Sequence, residues 1–240
     1  MAEEHTTERK WTMIVDLDKC TGCQACVVAC HAENNVPIMN EDEVAKGRAN
    51  HWIRIERYWE GEYPNVKARF LPVFCQQCGS APCEPVCPVY ASYHSEEENL
   101  NVQVYNRCVG TRYCGNNCPY RVRIFNWFAP QFDEPLEQQL NPDVTVRGPG
   151  VMEKCTFCIQ RIRRKTEEAN AEGRPLEDGE VQPACAQACP SQALVFGNKN
   201  DEHSRVAQML PSERQFKLLE SLGTEPSVYY LKGGESYVGE

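Results

Sequence analysis

The amino-acid sequence predicts an α+β fold of two small units, one inserted in the other, with loop-rich insertions and a C-terminal tail. Three observations support this prediction. The 240-residue chain contains 15 cysteines, and they fall into four groups. Strand-like segments with alternating apolar residues lead into these groups, as KWTMIVDLDKC, LPVFCQQC, NVQVYNRC and, more weakly, GVMEKCTFC. Stretches rich in turn formers and aromatic residues separate the groups.

The spacing within the cysteine groups is typical of iron–sulfur ligands. In a C-x2-C-x2-C-x3-C motif the first three thiolates bind one cluster, and the fourth faces a neighbouring cluster. Group one has this spacing, group three has Thr111 in place of its second cysteine, and group four is split into two pairs. The groups are Cys20, Cys23, Cys26 and Cys30; Cys75, Cys78, Cys83 and Cys87; Cys108, Cys114 and Cys118; and Cys155, Cys158, Cys185 and Cys189.

Zinc sites, haem attachment and disulfides account for the cysteines less well. Zinc ribbons also use C-x2-C pairs, but they have no need of the C-x3-C-P ending that three groups share. Haem attachment requires C-x-x-C-H, and the sequence CVVACH has one residue too many. An odd number of cysteines in a chain of this length disfavours disulfides. Group one differs from the others in having His31, not proline, after its last cysteine, which we interpret as a minor departure.

Two-cluster ferredoxins pair their motifs, so the four groups should form two ferredoxin-like units. Groups two and three would form an inserted unit over residues 67–130. Groups one and four would then form an outer unit, with residues 1–66 as its first half plus an insertion and residues 131–200 as its second half. Residues 201–240 would be the C-terminal tail. Pairing of adjacent groups, one with two and three with four, is a competing arrangement that spacing alone does not exclude.

Two segments are similar to a known family: CVGTRYCGNNCPYRVRIFNW and NPDVTVRGPGVMEKCTFCIQRI. They resemble the four-cluster iron–sulfur subunits of the molybdopterin oxidoreductase family, in the branch found in alternative complex III and Qrc-type menaquinone reductase complexes. The resemblance covers roughly residues 11–200. A free-standing chain of 240 residues suits the Qrc type better, because the alternative complex III protein is a long fusion.

The resemblance implies which cysteines share a cluster. Three [4Fe–4S] clusters would be held by Cys20, Cys23, Cys26 and Cys189; by Cys155, Cys158, Cys185 and Cys30; and by Cys75, Cys78, Cys83 and Cys118. A fourth cluster would be held by Cys87, Cys108 and Cys114. No cysteine is left over.

Thr111 occupies the vacant corner of the fourth cluster in this allocation. A hydroxyl is a harder donor than a thiolate and has a much higher pKa, so it is a poor iron ligand. The corner iron would be lost, which leaves [3Fe–4S]. The alternative is a [4Fe–4S] cluster with hydroxide or Thr111 on the fourth iron. We expect the fourth centre to have the highest potential of the set and to lie nearest the electron acceptor.

The resemblance also implies function and partners. We find no phosphate loop, dinucleotide fingerprint or nucleophile motif, which indicates a non-catalytic electron-transfer subunit. The implied partners are a large molybdopterin-oxidoreductase-like subunit, an integral membrane subunit that binds menaquinone, and a multihaem cytochrome c subunit. The alternatives are the equivalent subunit of alternative complex III or of a polysulfide or arsenate reductase, a free polyferredoxin shuttle, and a redox-sensing regulator.

Composition bears on location and partners. The net charge of −9 disfavours a nucleic-acid partner. The first residues, MAEEHTTERKW, lack a secretory h-region, and no run approaches the length of a membrane span. We therefore expect a peripheral protein that is held at the membrane by its partners. We place it on the periplasmic face, exported with a partner that carries the signal.

Three further segments give expectations about structure. The segment CIQRIRRKTEEANAEGRP predicts a helix that ends near Gly173, with a basic face that is either solvated or a docking patch. In the tail, residues 211–223 suggest a short helix, and the residues after it suggest an extended segment that wraps a neighbouring subunit or frays. Phe125, Trp127 and Phe128 are either core residues or a contact surface for the membrane subunit.

Overall fold

The computed structural model describes residues 9–233. Short helices and small sheets alternate along this range, which is the α+β class that the sequence predicts. The α-helices are α1 (Ala25–Glu33), α2 (Glu41–Ala45), α3 (Tyr113–Asn116), α4 (Ile159–Ala171), α5 (Ala184–Gln187) and α6 (Arg205–Met209). Single 3-10 turns cover Tyr105–Arg107, Leu136–Gln139 and Glu220–Leu222. The strands are β1 (Trp11–Asp16), β2 (Ile53–Glu60), β3 (Lys67–Phe74), β4 (Ser92–Ser95), β5 (Leu100–Gln103), β6 (Ile124–Phe125), β7 (Met152–Glu153), β8 (Leu194–Asn198), β9 (Gln215–Phe216) and β10 (Val228–Leu231).

A four-stranded sheet with the order β8-β1-β10-β9 forms the centre of the fold. Strand β1 runs antiparallel to β8 and parallel to β10. All six residues of β1 are buried, although the alternating sequence predicts one exposed face. The reason is that both faces of the sheet are covered: Met13 belongs to the main core, and Ile14 packs with Val206 of α6 on the other side.

The C-terminal segment differs from its prediction. Residues 228–231 do not wrap a neighbour, because they form β10 between β1 and β9 and all four are buried. The helix predicted over 211–223 is wrong, since this segment supplies β9 and one 3-10 turn. Pairing of Phe216 with Tyr230 fixes the extended form there. The last residues of the predicted tail, 234–240, lie outside the described part.

Three two-stranded antiparallel sheets complete the strands of the described residues: β2 with β3, β4 with β5, and β6 with β7. Strands β1, β3, β5 and β7 each end within a few residues of a cysteine group, which confirms the four strand-then-loop segments. Strand β2 is one element that the sequence did not predict, because these residues belong to a segment rich in turn formers. Its alternating start, Ile53-Arg54-Ile55-Glu56, carried the signal.

Helix α4 confirms the helix predicted after Cys158, and it ends two residues before Gly173. Its basic residues do not form an unpaired patch. Each of the four makes an ion pair with an acidic side chain of this chain, which supports the solvated, structural interpretation over a docking patch. The pairs are Arg161–Glu33, Arg163–Glu98, Arg164–Asp143 and Lys165–Glu168.

A fully buried ion pair joins the segment before β7 to the rest of the fold. Arg147 Nη2 lies 3.0 Å from Glu153 Oε2, and neither side chain is exposed. The Arg147 guanidinium also donates to the carbonyl oxygens of Asn34 (2.7 Å) and Asn35 (3.2 Å), directly after α1. Trp52 donates to the same carboxylate at 2.9 Å and stacks on the guanidinium. One cation therefore anchors α1, β2 and β7 together.

Replacing Arg147 with methionine leaves the Glu153 carboxylate buried without its partner, which costs about 3–5 kcal/mol. At about 2–4 °C per kcal/mol for a chain of this size, we expect Tm to fall by roughly 6–20 °C in a thermal melt. The matched control is Arg164→Met, because Arg164 and its partner Asp143 are both exposed; there we expect a fall of at most about 3 °C. Equal shifts in the two variants would contradict this account of the buried pair.

Candidate metal centres

All fifteen cysteines lie within the described residues, and none of them forms a disulfide. Two cavities are each walled by four cysteines. The first, site one, is lined by Cys20, Cys23, Cys26 and Cys189. The second, site three, is lined by Cys75, Cys78, Cys83 and Cys118. Both sets combine three neighbours in sequence with one cysteine from a distant group.

Site two brings Cys30, at the end of group one, to Cys155, Cys158 and Cys185 of group four. Burial raises the pKa of the Cys30 thiol well above its ordinary value, and the proximity of the other three thiols raises it further. The Asn34 side-chain amide lies 3.6 Å from Cys30 Sγ and 3.8 Å from Cys158 Sγ. Asn34 therefore contacts sulfurs from both ends of the chain.

Site four is built on Cys114 and Cys108. Burial raises the pKa of Cys114, the guanidinium of Arg123 opposes this shift, and the thiols of Cys83 and Cys108 add to it. The Met152 amide donates to Cys108 Sγ at 3.4 Å. Cys87, the third cysteine assigned to this site, meets the same Arg123 charge and otherwise contacts the amides of its own turn.

The turn after each Cys-Pro pair wraps around its sulfur. In all three turns the amide of the third residue donates to the cysteine carbonyl, and that residue has a left-handed backbone, with φ of 53° at Tyr90, 50° at Arg121 and 51° at Gln192. The amide of the fourth residue then reaches the sulfur, at 3.1 Å from Ala91 to Cys87 and 3.2 Å from Ala193 to Cys189; Val122 does the same for Cys118.

Group one replaces this turn with a side chain. Cys30 is followed by His31 and not by proline, and the residue four positions on, Asn34, donates its side-chain amide to the sulfur. The departure from the Cys-Pro pattern therefore keeps a hydrogen-bond donor at the sulfur. His31 itself accepts or donates at 2.9 Å to His51, a pairing that the sequence did not indicate.

These amides change the chemistry of the thiols. Partial burial opposes ionisation of Cys87, but hydrogen bonds from the Ser92, Val89 and Ala91 amides outweigh it and lower its pKa below the ordinary value. Hydrogen bonds to the charged form of a group favour that form. The turn is therefore preorganised for a thiolate, the form of cysteine that binds metal.

The loops of groups one and three have left-handed residues at the same two positions. Each has a glycine two positions after its first cysteine, with φ of 69° at Gly22 and 74° at Gly110. Each then has a left-handed residue that caps the following helix, with φ of 63° at Gln24 and 60° at Arg112. Thr111 therefore occupies the place in its loop that Cys23 occupies in group one, and both residues are exposed.

Gly22 and Gly110 are needed for space as well as for backbone angle. A Cβ on Gly22 would lie 2.4 Å from the Phe70 ring, and one on Gly110 would lie 2.4 Å from the Gly150 carbonyl oxygen. Both loops are thus covered by another segment at the same point.

One thiol links each site to the next. Burial and its own site's thiols raise the pKa of Cys185, and Cys26 of site one adds to that shift. Burial raises the pKa of Cys155 of site two, and Cys75 of site three raises it further. Cys83 of site three acts on Cys114 of site four. Cys155 also packs against both buried hydrophobic clusters, the one that contains Cys26, Cys30 and Cys185 and the one that contains Cys75, Cys83 and Cys114. The cysteine groups named here as sites one to four therefore neighbour one another in that order.

The donor set fits iron–sulfur clusters. Burial and neighbouring thiols raise the pKa values of Cys26 and Cys78 to about 12, so several thiolates in one site are unfavourable without a compensating cation. Iron supplies that charge, and cluster sulfurs are further stabilised by amide hydrogen bonds of the kind seen here.

This fold and these sites define an iron–sulfur protein of the dicluster ferredoxin type. Two family profiles, each described as a 4Fe-4S dicluster domain, match residues 66–133 and 19–91. The chain is 45% identical to the menaquinone reductase iron–sulfur cluster-binding subunit of Nitratidesulfovibrio vulgaris, over 94% of this chain and 90% of that protein. It is 37% identical to Hdr-like menaquinol oxidoreductase iron–sulfur subunit 1 of Archaeoglobus fulgidus (97% and 87%) and 31% identical to the arsenate respiratory reductase iron–sulfur subunit of a Shewanella species (92% and 95%).

The chain belongs to this family of iron–sulfur subunits, as its two signature segments predict. Sequence reasoning assigned its cysteines but missed the residues that surround them. Asn34 and Arg123 contact the sulfurs of sites two and four through side chains that no motif marks. The only feature of the sequence that could have indicated them is their spacing from the last cysteine of a group: Asn34 lies four residues after Cys30, and Arg123 lies five residues after Cys118.

We expect Cys30→Ala and Cys185→Ala to remove the same cluster, because the two thiols meet in site two. Each variant should lose about four iron atoms per chain and the same component of the EPR spectrum of the reduced protein. The matched control, Cys26→Ala, should remove a different component. A Cys30→Ala spectrum that matches Cys78→Ala would instead support the pairing of adjacent groups.

Proposed function

We propose that this chain is the electron-transfer iron–sulfur subunit of a membrane-bound, quinone-linked oxidoreductase complex. It would carry electrons between a large molybdopterin-oxidoreductase-like subunit and a menaquinone site on a membrane subunit. The observation that supports this most is the row of four neighbouring cysteine sites, which is the arrangement that a conduit requires. We propose menaquinone as the quinone because the 45% identical relative is named as a subunit of a menaquinone reductase.

Three complete sites would each hold a [4Fe–4S] cluster: Cys20, Cys23, Cys26 and Cys189; Cys30, Cys155, Cys158 and Cys185; and Cys75, Cys78, Cys83 and Cys118. The clusters supply one-electron chemistry when bound. The chain's own residues hold them and donate hydrogen bonds to their sulfurs. The amides of Ala91, Val122 and Ala193 and the side chain of Asn34 do so at the four last-of-group cysteines.

Site four would hold a [3Fe–4S] cluster on Cys87, Cys108 and Cys114. The support is the equivalence of Thr111 and Cys23, which lie between matching left-handed residues in the two loops. At the position where group one supplies a thiolate, group three supplies a hydroxyl. Cluster type shifts the reduction potential, and we expect the highest potential of the four at site four, which would make it the terminal acceptor.

The nested domain arrangement is also a proposal: an inserted unit over 67–130, an outer unit from 1–66 and 131–200, and a tail from 201. Its support is that β1 pairs with β8, which joins the two halves of the outer unit. The profile match over 66–133 spans groups two and three. The match over 19–91 spans groups one and two, which are neighbours in sequence, and by itself it would favour pairing of these two groups. The cavity of site one favours the nested arrangement instead, because the distant cysteine that lines it is Cys189 of group four.

Exposed aromatic and apolar residues at the two ends of the row suit two protein partners. Near site one, Cys23 is exposed, and the β2–β3 hairpin presents Tyr58 and Trp59 to solvent. Near site four, Val109 and Tyr113 are exposed beside Thr111. Trp127 is also exposed there, between the guanidinium groups of Arg48 and Arg112, each 4.7 Å from its ring. We place the large subunit at site one and the membrane subunit at site four.

No helix within residues 9–233 has the length and hydropathy that a membrane span requires. Peripheral attachment through partners, on the periplasmic face and with a multihaem cytochrome c subunit as a further partner, completes the proposal. The relatives named as subunits of reductases support assembly into a larger complex.

The experiment that separates this function from a free polyferredoxin shuttle is gel filtration of detergent-solubilised membranes. A subunit elutes with a large complex that also contains haem or molybdopterin protein. A soluble ferredoxin added to the same extract should elute at its own mass. Elution of this chain as an isolated species near 27.3 kDa would contradict the proposal.

A further inference from the structure

Arg123 is a buried cation whose oxygen acceptors are all uncharged side chains. It follows the Cys118-Pro119 turn directly and is 8% exposed. Its guanidinium donates to Gln103 Oε1 at 2.9 Å, to Ser92 Oγ at 2.5 Å and to Asn101 Oδ1 at 3.1 Å. Among the described residues, no carboxylate forms an ion pair with it. A buried charge of this kind needs compensation from elsewhere.

The guanidinium faces two cysteine sites. Arg123 lines the cavity of site three together with its four cysteines, Cys75, Cys78, Cys83 and Cys118. Burial disfavours the charged guanidinium, but Cys83, Cys114 and Cys75 outweigh it and raise the pKa of Arg123 above its ordinary value. Cys114 also accepts a hydrogen bond from the guanidinium. Because Cys83 and Cys75 line site three and Cys114 belongs to site four, one cation faces both sites.

The acceptors of Arg123 lie against site three as well. Ser92 Oγ donates to Cys83 Sγ at 3.7 Å, and Asn101 Oδ1 lies 3.8 Å from the same sulfur. On the other side, Arg123 acts on Cys87, where it adds to the amide hydrogen bonds that lower the thiol's pKa. The guanidinium therefore stands between the two sites and contacts the ligands of both, directly or through one neutral side chain.

We propose that Arg123 is a positioning residue that raises the reduction potentials of the clusters at sites three and four together. This inference rests on the proposed function, since it requires clusters at both sites. Reduction adds one electron, which the large subunit of the proposed complex supplies, and so one negative charge to a cluster. A fixed cation in a poorly solvated site stabilises the more negative, reduced state more than the oxidised one, and so it favours electron arrival at this end of the row.

Arginine suits this role better than lysine. Its charge persists at every physiological pH, and its planar fork can address several acceptors at fixed angles. Here the guanidinium donates hydrogen bonds to the side chains of Gln103, Ser92 and Asn101, and its positive charge faces the cysteine sulfurs. The conservative variant Arg123→Lys keeps the charge and should retain most of the effect.

The test is an EPR-monitored redox titration of the assembled complex. In Arg123→Gln, with the ambient potential set to the wild-type midpoint, the oxidised-to-reduced ratio of two clusters should rise about tenfold, which is 59 mV for a one-electron couple. Gln103→Glu should lower the same two midpoint potentials. It keeps Arg123 in place but puts a carboxylate at the position of the Gln103 amide, 2.9 Å from the guanidinium, where it offsets the positive charge. The other two clusters should titrate as in the wild type.

Arg121→Gln is the matched control, because Arg121 lies two residues earlier and is exposed; all four midpoints should stay in place. If Arg123→Gln loses its clusters, Gln103→Glu decides the question with the arginine present. Unchanged midpoints in Gln103→Glu, or an upward shift in either variant, would overturn the inference. Absence of clusters from the wild-type protein would instead overturn the proposed function.

Discussion

The structure depends on one constraint, the convergence of thiols that are far apart in the chain. Cys189 meets the loop of group one, and Cys30 meets group four, so both ends of the sequence must come together before either site is complete. The central sheet provides this closure, since β1 is paired on both sides by C-terminal strands. Burial of the thiols opposes their ionisation, so the sites are costly until metal compensates for the charge. We therefore expect cluster binding and folding to be coupled, as in other metal domains.

A second layer of polar groups adapts the protein to this buried charge. Backbone amides in the Cys-Pro turns and the Asn34 side chain contact the sulfurs directly. Arg123 supplies a full positive charge between two sites. Lys154, which is also fully buried, donates to backbone carbonyls of Asn101 and Cys155, next to the link between sites two and three. Although the chain as a whole carries a net charge of −9, these buried positive groups lie beside the cysteine sites, where the negative charge of the clusters would be.

Local signals made much of this predictable, and long-range contacts account for the rest. Cysteine spacing predicted the loops and alternating residues predicted the strands that lead into them, because both are encoded within about ten residues. The extended form of residues 228–231 was predicted, but their place in the central sheet was not, since the pairing of β10 with β1 joins residues more than 200 positions apart. Arg123 was missed because its role depends on Cys83 and Cys114 in other loops. Which cysteines share a site depends in the same way on contacts that spacing alone leaves open.

The claim at the centre of this account is that fifteen cysteines serve four clusters, one of which lacks a ligand at Thr111. Its most direct test is spin quantification by EPR of the oxidised protein, beside Thr111→Cys and the control Thr21→Cys. We expect about one isotropic three-iron signal per chain in the wild type and in the control. In Thr111→Cys we expect that signal to vanish and a fourth [4Fe–4S] signal to appear on reduction. A wild-type protein without the signal, or a signal that Thr111→Cys leaves unchanged, would contradict the account.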